Sequence, residues 1–264
     1  SWSADGDTAL YWEYDGDGVS RGWCDLGLKV AGQLVERLAA TFDEMFARAD
    51  FRHKRFIRLR RSTARKLVLS ATEQLLLSGP GRAGNPFKRS LRRDLAQATT
   101  VQIMVAYFLP TWSIRRDLTR LTHRGGTVQL ILPGKSDVLI SQLAGQSLYR
   151  RFLKAGVQIH EYQPQVLHAK LIIADDTVYV GSANLDPRSL DINYELMVRF
   201  NHRLMAEQAR AIFARALAHC RVITREEWRA SRSIWRRLKQ RWAYWLLVRI
   251  DPYLARRQWQ ALPD

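Results

Sequence analysis

Residues 167–185 read LHAKLIIADDTVYVGSANL, and the fold turns on them. Two apolar runs, KLIIA and TVYVG, flank the pair Asp175-Asp176, which suits a tight turn, so the stretch predicts a β-hairpin. Side chains alternate between the faces of a strand, which points His168 and Lys170 the same way, and likewise Ser182 and Asn184 on the return strand. An imidazole, an ammonium, a hydroxyl and a carboxamide are thereby gathered around one small volume. Gly181 leaves out a side chain where the backbone can approach a ligand closely. A phosphodiester is the group such a set suits. Lys170, Gly181, Ser182 and Asn184 form the candidate phosphate-binding set, which neutralises and orients the non-bridging oxygens. His168 can attack phosphorus, or give and take the proton at a bridging oxygen.

Outward from the hairpin, strand and helix signals alternate from about residue 72. Strands are expected near 73–78, 101–108, 127–132 and 157–162. Helices are expected near 87–98, 113–124 and 138–155, the last two closing on Gly125-Gly126 and Gly156, as helix C-termini commonly do. A Gly/Pro turn, GPGRAGNP, separates the first strand from the first helix. Such alternation implies an α/β fold with helices flanking a largely parallel or mixed sheet. Upstream, residues 23–48 predict a short strand and then an amphipathic helix, whose apolar side carries Leu34, Val35, Leu38, Phe42, Met45 and Phe46. Residues 51–66 are basic with little periodicity and suit a linker.

A weak repeat links the two ends of this arrangement. DLGLKV followed by GQLVERLAATF, from Asp25, parallels ELMVRF followed by HRLMAEQARAIF, from Glu195. Each is an acidic residue, a strand and an amphipathic helix closing on Phe42 or Phe213. The expected organisation is the tail of a first lobe at 1–50, a basic linker at 51–70, a complete second lobe at 71–220 and a basic, Trp-rich helical extension at 221–264.

Composition narrows the partners. Lys and Arg number 42 against 25 Asp and Glu, a formal charge of +17, which calls for an anionic partner such as lipid headgroups or nucleic acid. With 47% of residues apolar the chain can bury a sizeable core. Cys24 and Cys220 are the only cysteines, too few for a disulfide framework, so a reducing compartment is expected. No apolar run reaches the roughly 18 to 20 residues that cross a bilayer. The chain opens at Ser1 in a polar stretch without an initiator methionine, which reads as a cut end.

The combination HAK, an aspartate five residues after the lysine, then GSAN and LDPRS, resembles the signature of the phospholipase D superfamily. One departure is that five residues, where the usual signature has six, separate Asp175 from Gly181, which puts the role of Asp175 in question and favours bracing over chemistry. NLDPRSLDINYE, AYFLP at 106–110, LPGKSD at 132–137 and EYQP at 161–164 resemble cardiolipin synthases in particular. The resemblance covers about residues 20–215. It implies a catalytic set of His168, Lys170, Asp175 and Glu195, with Glu195 holding the far ring nitrogen of His168 and fixing its tautomer. By the repeat, Asp25 would do the same for the histidine of the first lobe. That histidine is missing, since no other His-x-Lys occurs in the sequence; His53-Lys54 are adjacent and face opposite ways. The missing lobe is expected upstream of Ser1, or a second copy supplies it.

The resemblance implies a phosphatidyltransferase that works through a phosphohistidine, with His168 as the general acid and base and with no metal or cofactor. Its partners would be anionic glycerophospholipids, its place the cytoplasmic side of a bacterial cell membrane. A phospholipase-D-type hydrolase, a phosphodiesterase or nuclease working as a homodimer, and a silent fragment remain open; nucleic acid is the less expected ligand. The extension bears on this. Trp228, Trp235 and Trp242 recur every seven residues, with Trp245, Leu238 and Leu246 beside them and arginines throughout. A basic helix with a Trp/Leu face suits a membrane surface, reached through residues 221–258. The alternative is that these tryptophans cover the protein's own core.

Overall fold

The computed structural model describes residues 2–3, 9–14, 22–48, 64–79, 84–231 and 233–250. The N-terminal part is a small sheet and a helix: β1 (Trp2–Ser3), β2 (Ala9–Tyr14), β3 (Trp23–Lys29) and α1 (Gln33–Arg48). The expected strand and helix at 23–48 are both present. Of the expected apolar face, Leu34 is buried and Leu38 packs against the core, whereas Val35, Phe42 and Phe46 face solvent. The basic stretch at 51–63 lies outside the described residues. The end of the linker expected at 51–70 is structured instead: β4 (Arg65–Val68) is an edge strand.

The alternating elements then follow in chain order. They are β5 (Glu73–Ser78), α2 (Pro86–Gln97), β6 (Thr100–Val105), α3 (Trp112–His123), β7 (Thr127–Pro133), α4 (Leu139–Gln146), α5 (Tyr149–Lys154) and β8 (Gln158–Tyr162). Next come β9 (Val166–Leu167), β10 (Lys170–Ala174), β11 (Thr177–Gly181), α6 (Pro187–Asp191), β12 (Glu195–Asn201), α7 (Arg203–Leu217) and β13 (Cys220–Ile223). Two C-terminal helices, α8 (Arg225–Ala230) and α9 (Ile234–Trp245), close the described chain with a further turn at Leu246–Ile250.

Helix α2 starts where sequence chemistry says it should: Pro86 sits in its first turn, and the Asn85 side chain accepts from the Lys88 N–H as an N-cap. The single helix expected over 138–155 is two. Ser147 turns its hydroxyl back onto the Ala144 carbonyl, which competes with the helical ladder and breaks it between α4 and α5. The strand expected to run to Phe108 ends at Val105, because the chain turns there to bridge Phe108 with Leu185.

Nine strands form one mixed sheet in the order β13-β8-β7-β6-β10-β11-β12-β5-β4. Strands β6, β7 and β8 are mutually parallel, whereas the hairpin β10-β11 runs antiparallel to β6 and β12 on either side. Being central, β10 and most of β11 are buried on both faces, which explains their unbroken apolar runs. One core lies beneath α2, α3, α5 and α8, with Phe87, Leu91, Leu118 and Phe152 at its centre. A second lies beneath α7 and α1, with Leu34, Leu75, Ile212 and Phe213. The result is the α/β architecture expected, a mixed sheet with helices on both faces.

The small sheet is joined to the large one at the point that matters. Strand β3 pairs in parallel with β9, Trp23 opposite Val166 and Cys24 opposite Leu167. The Cys24 carbonyl then accepts from the backbone N–H groups of His168 and Ala169, at 2.8 and 3.1 Å.

Candidate active site

His168 stands between β9 and β10 and belongs to neither strand. Strand alternation therefore does not aim it; β3 does, by taking its backbone N–H. The same strand supplies two side chains to the ring. His168 Nδ1 lies 2.7 Å from Asp25 Oδ2, and the Trp23 ring stacks beside the imidazole with centroids 4.4 Å apart. A carboxylate at Nδ1 favours the tautomer with its proton on that nitrogen and leaves Nε2 for chemistry. Lys170 opens β10 with its side chain buried. Its Nζ is 2.9 Å from both ring nitrogens and donates to the His168 carbonyl at 2.5 Å.

On the return arm, Asn184 is buried, and its Oδ1 accepts from the Tyr107 N–H at 3.2 Å, which turns the donor half of the amide toward the cleft it lines. Ser182 and Gly181 line the same cleft with Asp25, His168 and Lys170. Its volume is about 520 Å³. Beyond the polar end the walls are aliphatic: Leu26, Leu28, Val30, Leu38, Leu196 and Val198.

Three residues of the expected set behave differently. Glu195, expected to hold His168, instead accepts from the Ser182 hydroxyl at 2.5 Å and from Asn193 Nδ2 at 3.3 Å. The partner of His168 is Asp25, which the sequence pattern had assigned to another histidine; the crossing arises because β3 docks against β9. Asp175 sits at the turn, five residues beyond Lys170, or about 16 Å at strand rise. Its carboxylate accepts from the backbone N–H and hydroxyl groups of both Thr99 and Thr100, and it holds a positive φ of 48°. It braces the hairpin to β6 and takes no part in the cleft. Gly181 is needed by the neighbouring strand first: a Cβ there would lie 2.1 Å from the Leu196 carbonyl oxygen.

The charges of the site are mutually adjusted. Burial pushes the Asp25 carboxyl up, but the His168 hydrogen bond, the Leu26 N–H and the Lys170 charge outweigh it and hold it below the usual carboxylate value. Burial draws Lys170 down, opposed by the carboxylates of Asp25, Glu195, Asp137 and Asp186. Burial also raises Asp186, the N-cap of α6, to about 6, against the Ser189 and Arg188 N–H groups that stabilise its charge. Sequence reasoning placed Trp23 in a strand within the family-like stretch 23–32 but gave it no role at the site; its only signal was its place two residues before Asp25.

A carboxylate-held histidine followed by a lysine on a hairpin of a mixed sheet defines a phospholipase-D-like site. The stretch from residue 91 to residue 217 falls in that superfamily, in its cardiolipin-synthase-like branch. Residues 91–217 match the family described as "Cardiolipin synthase, PLD-like domain". Among curated relatives, cardiolipin synthase 1 of Bacillus cereus is 30% identical over 183 residues, covering 66% of this chain and 36% of that protein. Cardiolipin synthase A of Wigglesworthia glossinidia brevipalpis is 30% identical over 173 residues, covering 65% and 35%. The chain thus spans about a third of the length of these relatives. Among solved structures, the phosphatidylserine synthase of Haemophilus influenzae Rd KW20 shares the fold, with a TM-score of 0.55 at 14% identity, over 72% of this chain and 48% of that one.

Proposed function

We propose that the chain carries one half of the active site of a phosphatidyltransferase of the cardiolipin-synthase type. The observation that carries this reading is the cleft itself, in which a phosphate-binding end runs directly into an aliphatic wall. An amphiphilic phosphodiester matches both ends; a nucleotide strand has nothing to place against Leu26, Leu28, Val30 and Leu38. The two cardiolipin synthases at 30% identity point the same way.

In this reading the histidine of the first-lobe motif attacks phosphorus and displaces the first alcohol, while His168 Nε2 gives that leaving oxygen its proton. His168, now neutral, next takes the proton of the acceptor hydroxyl, which attacks the phosphohistidine and frees the first histidine. Lys170 and the Asn184 amide hold the non-bridging oxygens through both steps. Asp25 keeps the His168 ring in one tautomer and steadies it when it is charged. Since the acid of the first repeat serves the histidine of the second, Glu195 serves the histidine of the first by the same repeat. The protein acts on anionic glycerophospholipids at the cytoplasmic side of a bacterial membrane.

The test is the full-length protein on phosphatidylglycerol vesicles. A cardiolipin-like product with release of glycerol, lost in His168→Ala, is expected. Phosphatidic acid alone in the presence of excess acceptor lipid would make it a hydrolase, and strand cleavage of single-stranded DNA that depends on His168 would make it a nuclease.

A further inference from the structure

Helix α9 turns its more apolar side away from the protein. Toward α4 it presents Gln240 and Ala243, both fully buried. Arg236 and Gln240 each donate to Gln146 Oε1 at 3.4 Å, and Arg115 of α3 donates to the Tyr244 hydroxyl at 3.0 Å. These polar and small positions set the rotation of the helix. On the opposite side Ile234, Trp235, Leu238, Trp242 and Trp245 fall, at about 100° per residue, within one stripe along its length. Their exposures are 73, 75, 51, 59 and 52%. Lys239 borders the stripe on one edge and Arg237 and Arg241 on the other, all three exposed. Trp228 alone of the heptad tryptophans is buried.

We propose that this stripe seats the protein on an anionic phospholipid surface, with α9 lying in the headgroup plane. A folded chain that keeps glutamine inside and three tryptophans outside on one helix is presenting a surface to something apolar. Cations along both edges of an apolar stripe match a bilayer, where indoles sit at the headgroup level and lysines and arginines meet lipid phosphates. A second copy of this chain would bring the same cations against each other. A nucleic-acid strand would leave Ile234 and Leu238 without a partner. No helix among the described residues is long and apolar enough to cross a membrane, so the contact is with the surface. The turn that continues α9 leads to the catalytic end, where Leu247 lines a cavity of about 330 Å³ with Tyr107, Asp186 and Arg188. Tyr107 is the residue whose N–H holds Asn184. The inference rests on the exposure and charge of α9 and not on the catalytic reading.

Co-sedimentation of the full-length protein tests it, using vesicles of phosphatidylcholine with and without phosphatidylglycerol. Binding to the mixed vesicles is expected to exceed binding to phosphatidylcholine alone. The triple variant Trp235→Ser, Leu238→Ser, Trp242→Ser should keep the wild-type melting curve and lose binding by about tenfold or more. Arg237→Gln, Lys239→Gln, Arg241→Gln should abolish the preference for phosphatidylglycerol. Unchanged vesicle binding in the stripe variant overturns the proposal. So does a stripe that holds a dimer, seen as wild-type dimer and variant monomer with no vesicle binding by either, or a variant that loses single-stranded DNA in place of vesicles. The two readings separate cleanly: His168→Ala should bind vesicles and turn nothing over, whereas the stripe variant should retain activity on lipid dispersed in detergent micelles.

Discussion

At the scale of single residues, two aspartates with opposite shifts make opposite predictions. Asp25 is held low by His168, Leu26 N–H and Lys170, so its contribution to stability is complete above the unfolded carboxylate value of about 4. That contribution is lost only as pH falls through the lower folded value. Its replacement by asparagine keeps the shape but not the charge that supports a protonated ring. Asp25→Asn in the full-length protein should lower kcat by roughly 10- to 100-fold with little change in KM, and should shift the pH profile of kcat, which a purely structural role would leave in place. Asp186 is raised from 3.8 to about 6 by burial, so folding is disfavoured by its ionisation above 3.8, increasingly so up to about 6. Asparagine keeps the N-cap acceptor for the Ser189 N–H and removes the buried charge. Thermal melts of Asp186→Asn should match wild type at pH 4 and exceed it by a margin that grows to pH 6 and then stays level.

At the scale of elements, the hairpin is held at both ends by residues that do no chemistry. Asp175 ties its turn to Thr99 and Thr100. Asp175→Ala should cost about 1–2 kcal/mol of stability, measured by denaturant unfolding, while the folded fraction retains its activity. Gly181 marks the other end, where a Cβ would meet the Leu196 carbonyl at 2.1 Å and Met197 Cα at 2.9 Å. Backbone cannot give way as a side chain can, so Gly181→Ala should cost about 3 kcal/mol and reduce activity by distorting Ser182 and Asn184. A variant as stable as wild type would show that β12 can move aside. The pair separates bracing from catalysis within one motif.

At the scale of the whole molecule, the placement of β3 governs how the second imidazole arrives. Asp25 reaches His168 from the same polypeptide, through a strand that already pairs with β9. In the proposed reading, a lobe continuous with β3 would lie over the cleft without a second copy. The specific activity of the full-length protein should be independent of dilution. A steep fall on dilution, with recovery when two inactive variants in different motifs are mixed, would assign the second imidazole to a partner chain.

Much of this was legible in the residues alone. The alternation of apolar runs, Gly stops and the Gly/Pro turn before α2 dictated the α/β order and most element boundaries, because propensity and turn chemistry act over a few neighbouring residues. The hairpin and its chemistry were legible too, since His168, Lys170, Ser182 and Asn184 lie within 17 residues of one another. What local patterning could not reach was long-range pairing. That Asp25 and not Glu195 holds His168 depends on a parallel contact across 143 positions, and that Gly181 serves its neighbour strand depends on the register of β11 with β12. The rotation of α9 was equally open, because a helix carrying tryptophan on one side and glutamine on another fits a core or a membrane. Only the polar contacts made by Gln146 and Arg115, supplied by other elements, decided which side faces out.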